Sequence, residues 1–217
     1  MSGMESKERG VGGRPPLARK GDVDARLLEA ATRLFLTLGF EGTSCDLVAQ
    51  EARAGKASIY TRYANKTALL AAVVKNNLES LFDAGQPVTA AEVPLRERMR
   101  NAGETVIMNA LQPDAVALLR LLVAEAPRLQ AIAVDAADIV QKIGVDHVAL
   151  AIAAPSAAIQ PGAAAAPAEA LLDLILMPAL LRALLGANPV ALQRANIAGL
   201  MAAVDTIIAS DAMRAWR

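Results

Sequence analysis

Apolar residues recur at the spacing of an α-helix along most of this 217-residue chain. The first such pattern runs from about Asp24 to Leu38, and Gly39 follows as a residue suited to end a helix. Alanine and leucine dominate the composition, whereas only 3% of residues are aromatic, and this balance favours helices over strands. No segment has the alternating pattern of a half-buried strand. The sequence therefore predicts an all-α protein.

Two short helical patterns follow the first. Thr43 is expected to cap a second helix that ends by about Ala52, and a third helix should run from Lys56 to about Tyr63. Gly55 interrupts the pattern between them. Two short helices joined by about three residues are typical of a helix-turn-helix, so we expect this motif here.

Longer helices are predicted for the rest of the chain. Asn65 should cap a fourth helix that reaches about Phe82. The uncharged run from Val148 to Ala168 is mostly alanine and contains three prolines, so we interpret it as a loop between helices and not as a membrane span. Pro178 should kink its helix or start it anew, because proline lacks a backbone N–H. The later helical patterns lie near residues 93–111, 113–125, 129–152, 168–186 and 189–209.

The charges are unevenly distributed, although the formal net charge is zero. Residues 1–75 carry 12 lysines and arginines against 8 acids, and residues 76–217 carry 10 against 14. The stretch RAGKASIYTRYANK, residues 53–66, holds four cations and no acid. Such a run is usually a solvated face, but here it coincides with the helix-turn-helix spacing and follows residues 1–20, which we expect to form a flexible basic arm. The combination favours DNA binding.

The predicted third helix has two distinct faces. At about 100° per residue, Ile59 and Tyr63 lie roughly 40° apart, whereas Ala57 and Thr61 point roughly 160° away from Ile59. Lys56 stands at the positive end of the helix. The outer surface is therefore small, hydroxylated and basic, which suits the major groove of DNA.

The stretch ATRLFLTLGFEGTSCDLVAQEARAGKASIYTRYANKTALLAAV resembles the N-terminal domain of the TetR/AcrR family of transcription regulators, with a domain that would span residues 21–81. The chain departs from the family's turn, which usually has Gly, Val and then Ser or Thr, because Arg53, Ala54 and Gly55 stand there. In that family the third helix enters the major groove. Tyr63 is a further candidate, although its inner position favours a core role. The resemblance implies DNA contacts by Thr43, Ser44, Lys56, Ala57, Ser58, Tyr60, Thr61, Arg62 and Lys66.

The same resemblance implies that residues 82–217 form a larger helical ligand-binding and dimerisation domain. The last two long helices, within residues 168–209, would form a homodimer interface that includes Leu176 and Leu180, although a monomer could also bury this segment internally. A small, mainly apolar effector would bind among the helices of residues 95–185. The polar exceptions in the expected pocket region are Arg96, Arg98, Arg100, Glu104, Asn109, Arg120, Glu125 and His147.

Several classes of protein fit the sequence poorly. Cys45 is the single cysteine and His147 the single histidine, so the sequence predicts no disulfide, no metal site and no catalytic dyad. No phosphate-binding glycine loop occurs, and we expect neither a cofactor nor an enzymatic activity. The N-terminus has no signal-peptide core, which favours a cytoplasmic protein. The sequence thus predicts a repressor that binds a near-palindromic double-stranded operator and leaves it when the effector binds; the alternative is a helical scaffold protein without ligand response.

Overall fold

The computed structural model describes residues 17–83, 92–153 and 161–216, and within these ranges it has helices and no strands. This confirms the predicted all-α class. Short 3-10 helices cover Pro161–Ala164 and Asp211–Trp216. The α-helices are α1 (Leu17–Gly42), α2 (Cys45–Glu51), α3 (Lys56–Tyr60), α4 (Lys66–Asp83), α5 (Leu95–Ala110), α6 (Pro113–Glu125), α7 (Gln130–Ala153), α8 (Ala165–Ile175), α9 (Met177–Leu184) and α10 (Pro189–Ala209).

The first helix differs from its prediction at the start and agrees with it at the end. It begins at Leu17 instead of near Asp24, so residues 17–20 of the expected arm are helical. Residues 1–16, the rest of that arm, lie outside the described residues. Gly39 has φ 71° and ψ −177°, a conformation almost restricted to glycine, and it interrupts the helix directly after Leu38 as predicted.

The turn after Gly39 decides which residue caps α2. Thr43 is only 2% exposed, and its hydroxyl donates to the Gly39 carbonyl at 2.8 Å. Ser44 is the cap instead, because its side-chain oxygen accepts the Leu47 N–H at 3.2 Å. The prediction that Thr43 caps this helix was therefore wrong by one position. The predicted cap of α4 is confirmed, since the Asn65 side chain accepts the Ala68 N–H at 2.8 Å.

The later helices follow the predicted pattern closely. Helices α6 and α10 have the predicted bounds, and the segment around Pro178 is split into α8 and α9, which meet at a bend of 41°. The loop predicted from Val148 to Ala168 was too long, because residues 148–153 belong to α7 and residues 165–168 to α8. Alanine is the strongest helix former and extends both helices into the run. Residues 154–160 lie outside the described residues.

Two hydrophobic cores organise the described residues. One packs α5, α7, α8 and α10 together, with Ile107, Ile152 and Leu200 among its fully buried members. The other surrounds Phe35 and Ile59 and joins α1 to α4. Four side chains from α6, α7 and the turn between them also belong to this second core: Leu118, Leu122, Leu129 and Ala136. The predicted domain boundary near residue 82 therefore runs through a shared core, and the domain division stays a prediction.

Within the described ranges, no single helix is long and apolar enough to cross a membrane. Two pairs of consecutive helices meet both criteria only when they are taken together, and these pairs are bent by 62° and 41°.

Candidate nucleic-acid interface

The turn between α2 and α3 is built around a strained arginine. The Arg53 N–H donates to the Gln50 carbonyl at 3.0 Å, and the Ala54 N–H donates to the Ala49 carbonyl at 2.8 Å. This pair of bonds is a Schellman ending, in which the residue after the cap adopts a left-handed conformation and is usually glycine. Arg53 has φ 50° there. The glycine that the family usually places in this turn is thus replaced by a residue that the backbone accepts at a cost.

Helix α3 presents the two faces that its sequence predicts, although it is shorter than expected. It ends at Tyr60, and residues 61–63 continue as a hydrogen-bonded turn. Ile59 is fully buried and fixes the inner face, whereas Ala57, Tyr60 and Thr61 are exposed. Gly55 caps the helix without a side-chain hydrogen bond. The exposed face therefore combines a methyl group, a phenol and a hydroxyl, groups that suit base edges and phosphates.

Asp46 joins this surface, a role that the sequence reasoning missed. Its carboxylate lies 2.7 Å from the Lys56 ammonium and accepts a hydrogen bond from the Tyr60 hydroxyl at 3.3 Å. The hydrogen bond from Lys56 holds the pKa of Asp46 below its usual range, and the same bond raises the pKa of Lys56. The charge of Asp46 is also the main reason why the pKa of Tyr60 is raised. The sequence signal was present, because Asp46 stands in the first turn of α2, but it indicated only a favourable helix end.

Arg62 and Ser58 hold α3 against α1. The Arg62 guanidinium pairs with Asp24, and it also donates to the Ser58 carbonyl at 2.9 Å and hydroxyl at 2.8 Å. Its side chain is only 16% exposed. Tyr63 is half-buried beside them, and burial is the main cause that raises the pKa of its phenol. These three candidate side chains are therefore placed to orient the candidate recognition surface.

Lys66 links the start of α4 to the turn before α2. Its ammonium donates to the Phe40 carbonyl at 2.7 Å and lies 4.3 Å from the centre of the Phe40 ring. Glu41 approaches the same ammonium at 3.9 Å. Of the sequence-predicted residues, the structure leaves Ser44, Lys56, Ala57, Tyr60 and Thr61 at the surface, and it buries Thr43. Arg53 is exposed as well, and it forms no ion pair within the described part of the chain.

A second candidate site lies between α6, α7, α8 and α9, where a cavity of about 370 Å³ opens to the surface. This volume is within the range of small-molecule sites, about 300–1,000 Å³. Most of the lining is aliphatic, with three polar residues. The lining consists of Leu119, Leu122, Val123, Ala126, Ala133, Ala136, Ala137, Val140, Gln141, Val145, Glu169, Leu172, Asp173, Leu176, Met177, Leu180 and Leu184.

The polar residues expected in the pocket lie elsewhere. Arg98 is 6% exposed and donates to the Ala151 carbonyl at 2.8 Å, near the end of α7, and burial lowers its pKa. Arg120 donates to the Ala183 carbonyl, and Arg96 forms a two-bond pair with Asp205. None of the eight polar residues singled out in residues 95–150 lines the cavity. Gln141, Glu169 and Asp173 were missed, although Glu169 and Asp173 are the only acids in the apolar stretch from 168 to 186.

Comparisons with known proteins agree with the architecture and the motif. Residues 27–73 match the family described as bacterial regulatory proteins, tetR family. The uncharacterised helix-turn-helix transcriptional regulator YhgD of Bacillus subtilis (strain 168) is 33% identical over 76 residues, and the match covers 35% of this chain and 40% of YhgD. The matched segment thus spans less than half of the length of that curated relative.

Solved structures extend the similarity to nearly the whole fold. A TetR-family transcriptional regulator from Mesorhizobium loti has a TM-score of 0.74 at 21% identity, with 88% of this chain and 97% of that chain covered. The regulator FadR of Bacillus subtilis, solved in complex with stearoyl-CoA, has a TM-score of 0.55 at 11% identity, with 83% and 98% covered. At these identities the likeness shows the fold alone.

Proposed function

We propose that the chain, whose residues 27–73 match the tetR family of regulatory proteins, is a DNA-binding transcriptional regulator and more specifically a homodimeric repressor whose operator is a near-palindrome. A small, mainly apolar effector binds the cavity and releases the protein from DNA. The proposed ligand response is supported by two side chains that connect the cavity to the core beneath α3. Leu122 and Ala136 line the cavity and also belong to the core that supports α3.

The proposed DNA contacts divide into two groups. Ser44, Lys56, Ala57, Tyr60 and Thr61 touch DNA directly, because their side chains are exposed on one side of the helix-turn-helix. The others act on the geometry of that surface through the contacts described above. This second group consists of Thr43, Ser58, Arg62, Tyr63 and Lys66.

The proposed dimer uses the outer faces of α9 and α10. Leu181 and Leu185 are 59% and 80% exposed. Exposed small residues follow along α10 at alternating spacings of four and three, and a Cβ added at Gly199 would meet no atom within 4 Å. Such a surface suits close packing against a second copy, and two recognition helices need a fixed separation to read two half-sites. The small residues are Ala191, Ala195, Ala198 and Ala202.

In this fold, the cavity and the proposed DNA-binding surface share side chains of one hydrophobic core. An effector that displaces α6 or α7 shifts side chains inside the core around Phe35 and Ile59. Arg128, in the turn between α6 and α7, also pairs with Glu41, which approaches the Lys66 ammonium. Coupling of about 1–3 kcal/mol changes DNA affinity about 5- to 150-fold, and linkage requires that operator DNA weaken the effector equally.

DNA binding is tested with duplexes selected from genomic fragments that the protein retains. Affinity should fall steeply with salt: the slope of log affinity against log salt concentration should be about −0.9 for each phosphate that the protein neutralises. Lys56→Ala should weaken binding to all duplexes, whereas Thr61→Ala should alter the preference among them. If both variants bind every duplex like the parent, α3 is not the recognition helix, and if no duplex is retained the scaffold alternative holds.

The ligand response is tested by measuring the affinity of a bound compound with and without the selected operator. We expect weaker binding of the compound in the presence of the operator, by the same factor by which the compound weakens DNA binding. A compound that binds the free and the DNA-bound protein equally well shifts no equilibrium. Equal affinities for every compound that binds the cavity would identify a constitutive DNA-binding protein.

A further inference from the structure

We propose that the cavity between α6, α7, α8 and α9 takes an amphiphilic cation, in which an amine or quaternary ammonium group is attached to an apolar body. The inference rests on the proposed function, because it names the chemical class of the effector for the same site. It is carried by the charge of the cavity lining, which combines aliphatic walls with two carboxylates and no basic side chain.

The two carboxylates belong to Glu169 and Asp173, one turn apart on the same face of α8. Neither forms an ion pair with any residue that the structure describes. Lys142 lies next to the lining residue Gln141 in sequence, but its ammonium is held by Asp146. Both acids are exposed, and the cavity lining therefore carries negative charge that no ion pair among the described residues neutralises.

The positions of these two acids do not stabilise the helix that carries them. Like charges four residues apart on a helix repel each other. Asp173 also stands near the C-terminal end of α8, which ends at Ile175 and where the helix dipole disfavours an acid. Alanine, which dominates this helix, would avoid both costs. A bound cation removes the repulsion and gives both carboxylates a partner.

The same lining disfavours the other classes of effector. An acid or a phosphate ester needs lysine, arginine or other donors, whereas here it would face two carboxylates and a single amide side chain, Gln141. A neutral apolar molecule would fill the walls without using either carboxylate. No aromatic residue lines the cavity, so the cation is recognised by ion pairing and not by an aromatic cage.

The test compares three probes that share a ten-carbon chain and differ in the head group: decyltrimethylammonium, 1-decanol and decanoate, each far below its micelle concentration. Calorimetric titration of the full chain should show that decyltrimethylammonium binds tightest. The double variant Glu169→Gln and Asp173→Asn should weaken that binding by about tenfold and leave 1-decanol unchanged, because two partly exposed ion pairs are lost. The matched control is Asp135→Asn with Asp138→Asn, which removes the same charge from α7 outside the lining.

The outcomes separate the ligand class from the ligand response. Tightest binding of decanoate or 1-decanol to the parent protein overturns the inference and leaves the ligand-responsive repressor standing, and this comparison needs no variant to fold. An equal loss of affinity in the control variant overturns it too, because the effect would then be one of overall charge. If decyltrimethylammonium binds through the two acids but leaves operator affinity unchanged, the inference holds and the release mechanism fails.

Discussion

At the scale of single residues, we expect Asp46 to set the balance between affinity and selectivity at the proposed recognition surface. It binds Lys56 and Tyr60 in the free protein, so a phosphate has to compete with a carboxylate for the lysine. Because its pKa is lowered in the folded state, the pairing stabilises the fold above the ordinary titration range of aspartate and is lost as the pH falls through the lowered value. A surface built this way should resist binding to arbitrary DNA.

We expect Asp46→Asn to raise the affinity for unrelated duplexes several-fold more than the affinity for the operator, since the freed Lys56 binds phosphates without regard to sequence. Fluorescence anisotropy with an operator and a scrambled duplex at two salt concentrations measures both. Glu51→Gln is the matched control, because Glu51 lies on the same helix but pairs with Arg33 at 3.2 Å. An equal gain in both variants would mean that only net charge matters.

Arg53 gives a second prediction at this scale. Arg53→Gly should stabilise the protein by about 0.5–1 kcal/mol, because glycine adopts the left-handed conformation without the steric cost that arginine incurs. Urea unfolding measures the change, and Arg53→Ala should bring no such gain because the strain remains. A weaker affinity of both variants for DNA would show that the exposed guanidinium contacts phosphate, whereas a destabilised Arg53→Gly protein would contradict the strain.

At the scale of elements, the sequence predicts the positions of helices better than the directions in which their faces point. Helices α6 and α10 have the expected bounds because Pro113 and Pro189 mark their starts, and Pro178 divides α8 from α9. Leu176 and Leu180 were expected at a dimer interface, but they are at most 9% exposed and line the cavity. A stretch that is apolar nearly all round does not indicate which side meets which neighbour.

The pairings of charged residues could not be predicted from the sequence either. Arg96 meets Asp205 across 109 positions, and Arg98 meets the end of α7 across 53. Such contacts depend on how the helices cross, and side-chain spacing along one helix contains no information about that. Local features were more predictable, because the Asn65 cap, the break at Gly39 and the inner face of α3 depend on neighbours within one or two turns, although the cap of α2 was misplaced by one residue.

Arg98 provides the prediction at the element scale. It lies on α5 and donates to the Ala151 carbonyl, which α7 leaves open near its end, and to the Val93 carbonyl just before α5, each at 2.8 Å. We expect Arg98→Met to lower the free energy of unfolding by about 2–4 kcal/mol, because buried carbonyls lose charged donors. Arg96→Met should lower the free energy of unfolding much less, since its pair with Asp205 is half exposed. Equal losses in urea unfolding would contradict this role of Arg98.

At the scale of the whole molecule, the proposed dimer depends on the exposed leucines of α9. Leu181→Asp should yield monomers in sedimentation, because a carboxylate would be buried in the proposed interface. Val134→Asp is the control, since Val134 is also about half exposed, at 52%, but lies on α7 outside residues 168–209. Operator binding should fall with the loss of the dimer. A Leu181→Asp protein that sediments as a dimer would place the interface elsewhere.

The shared core around Phe35 and Ile59 limits how regulators of this build can be recombined. A cut near residue 82 would transplant the helices of the proposed DNA-binding surface without Leu118, Leu122, Leu129 and Ala136, which complete their interior. A chimera made there would pack that interior against side chains selected in another protein, and its operator choice and its solubility would then depend on the recipient. The exchangeable part is discontinuous in sequence: α1 to α4 together with the corner where α6 meets α7.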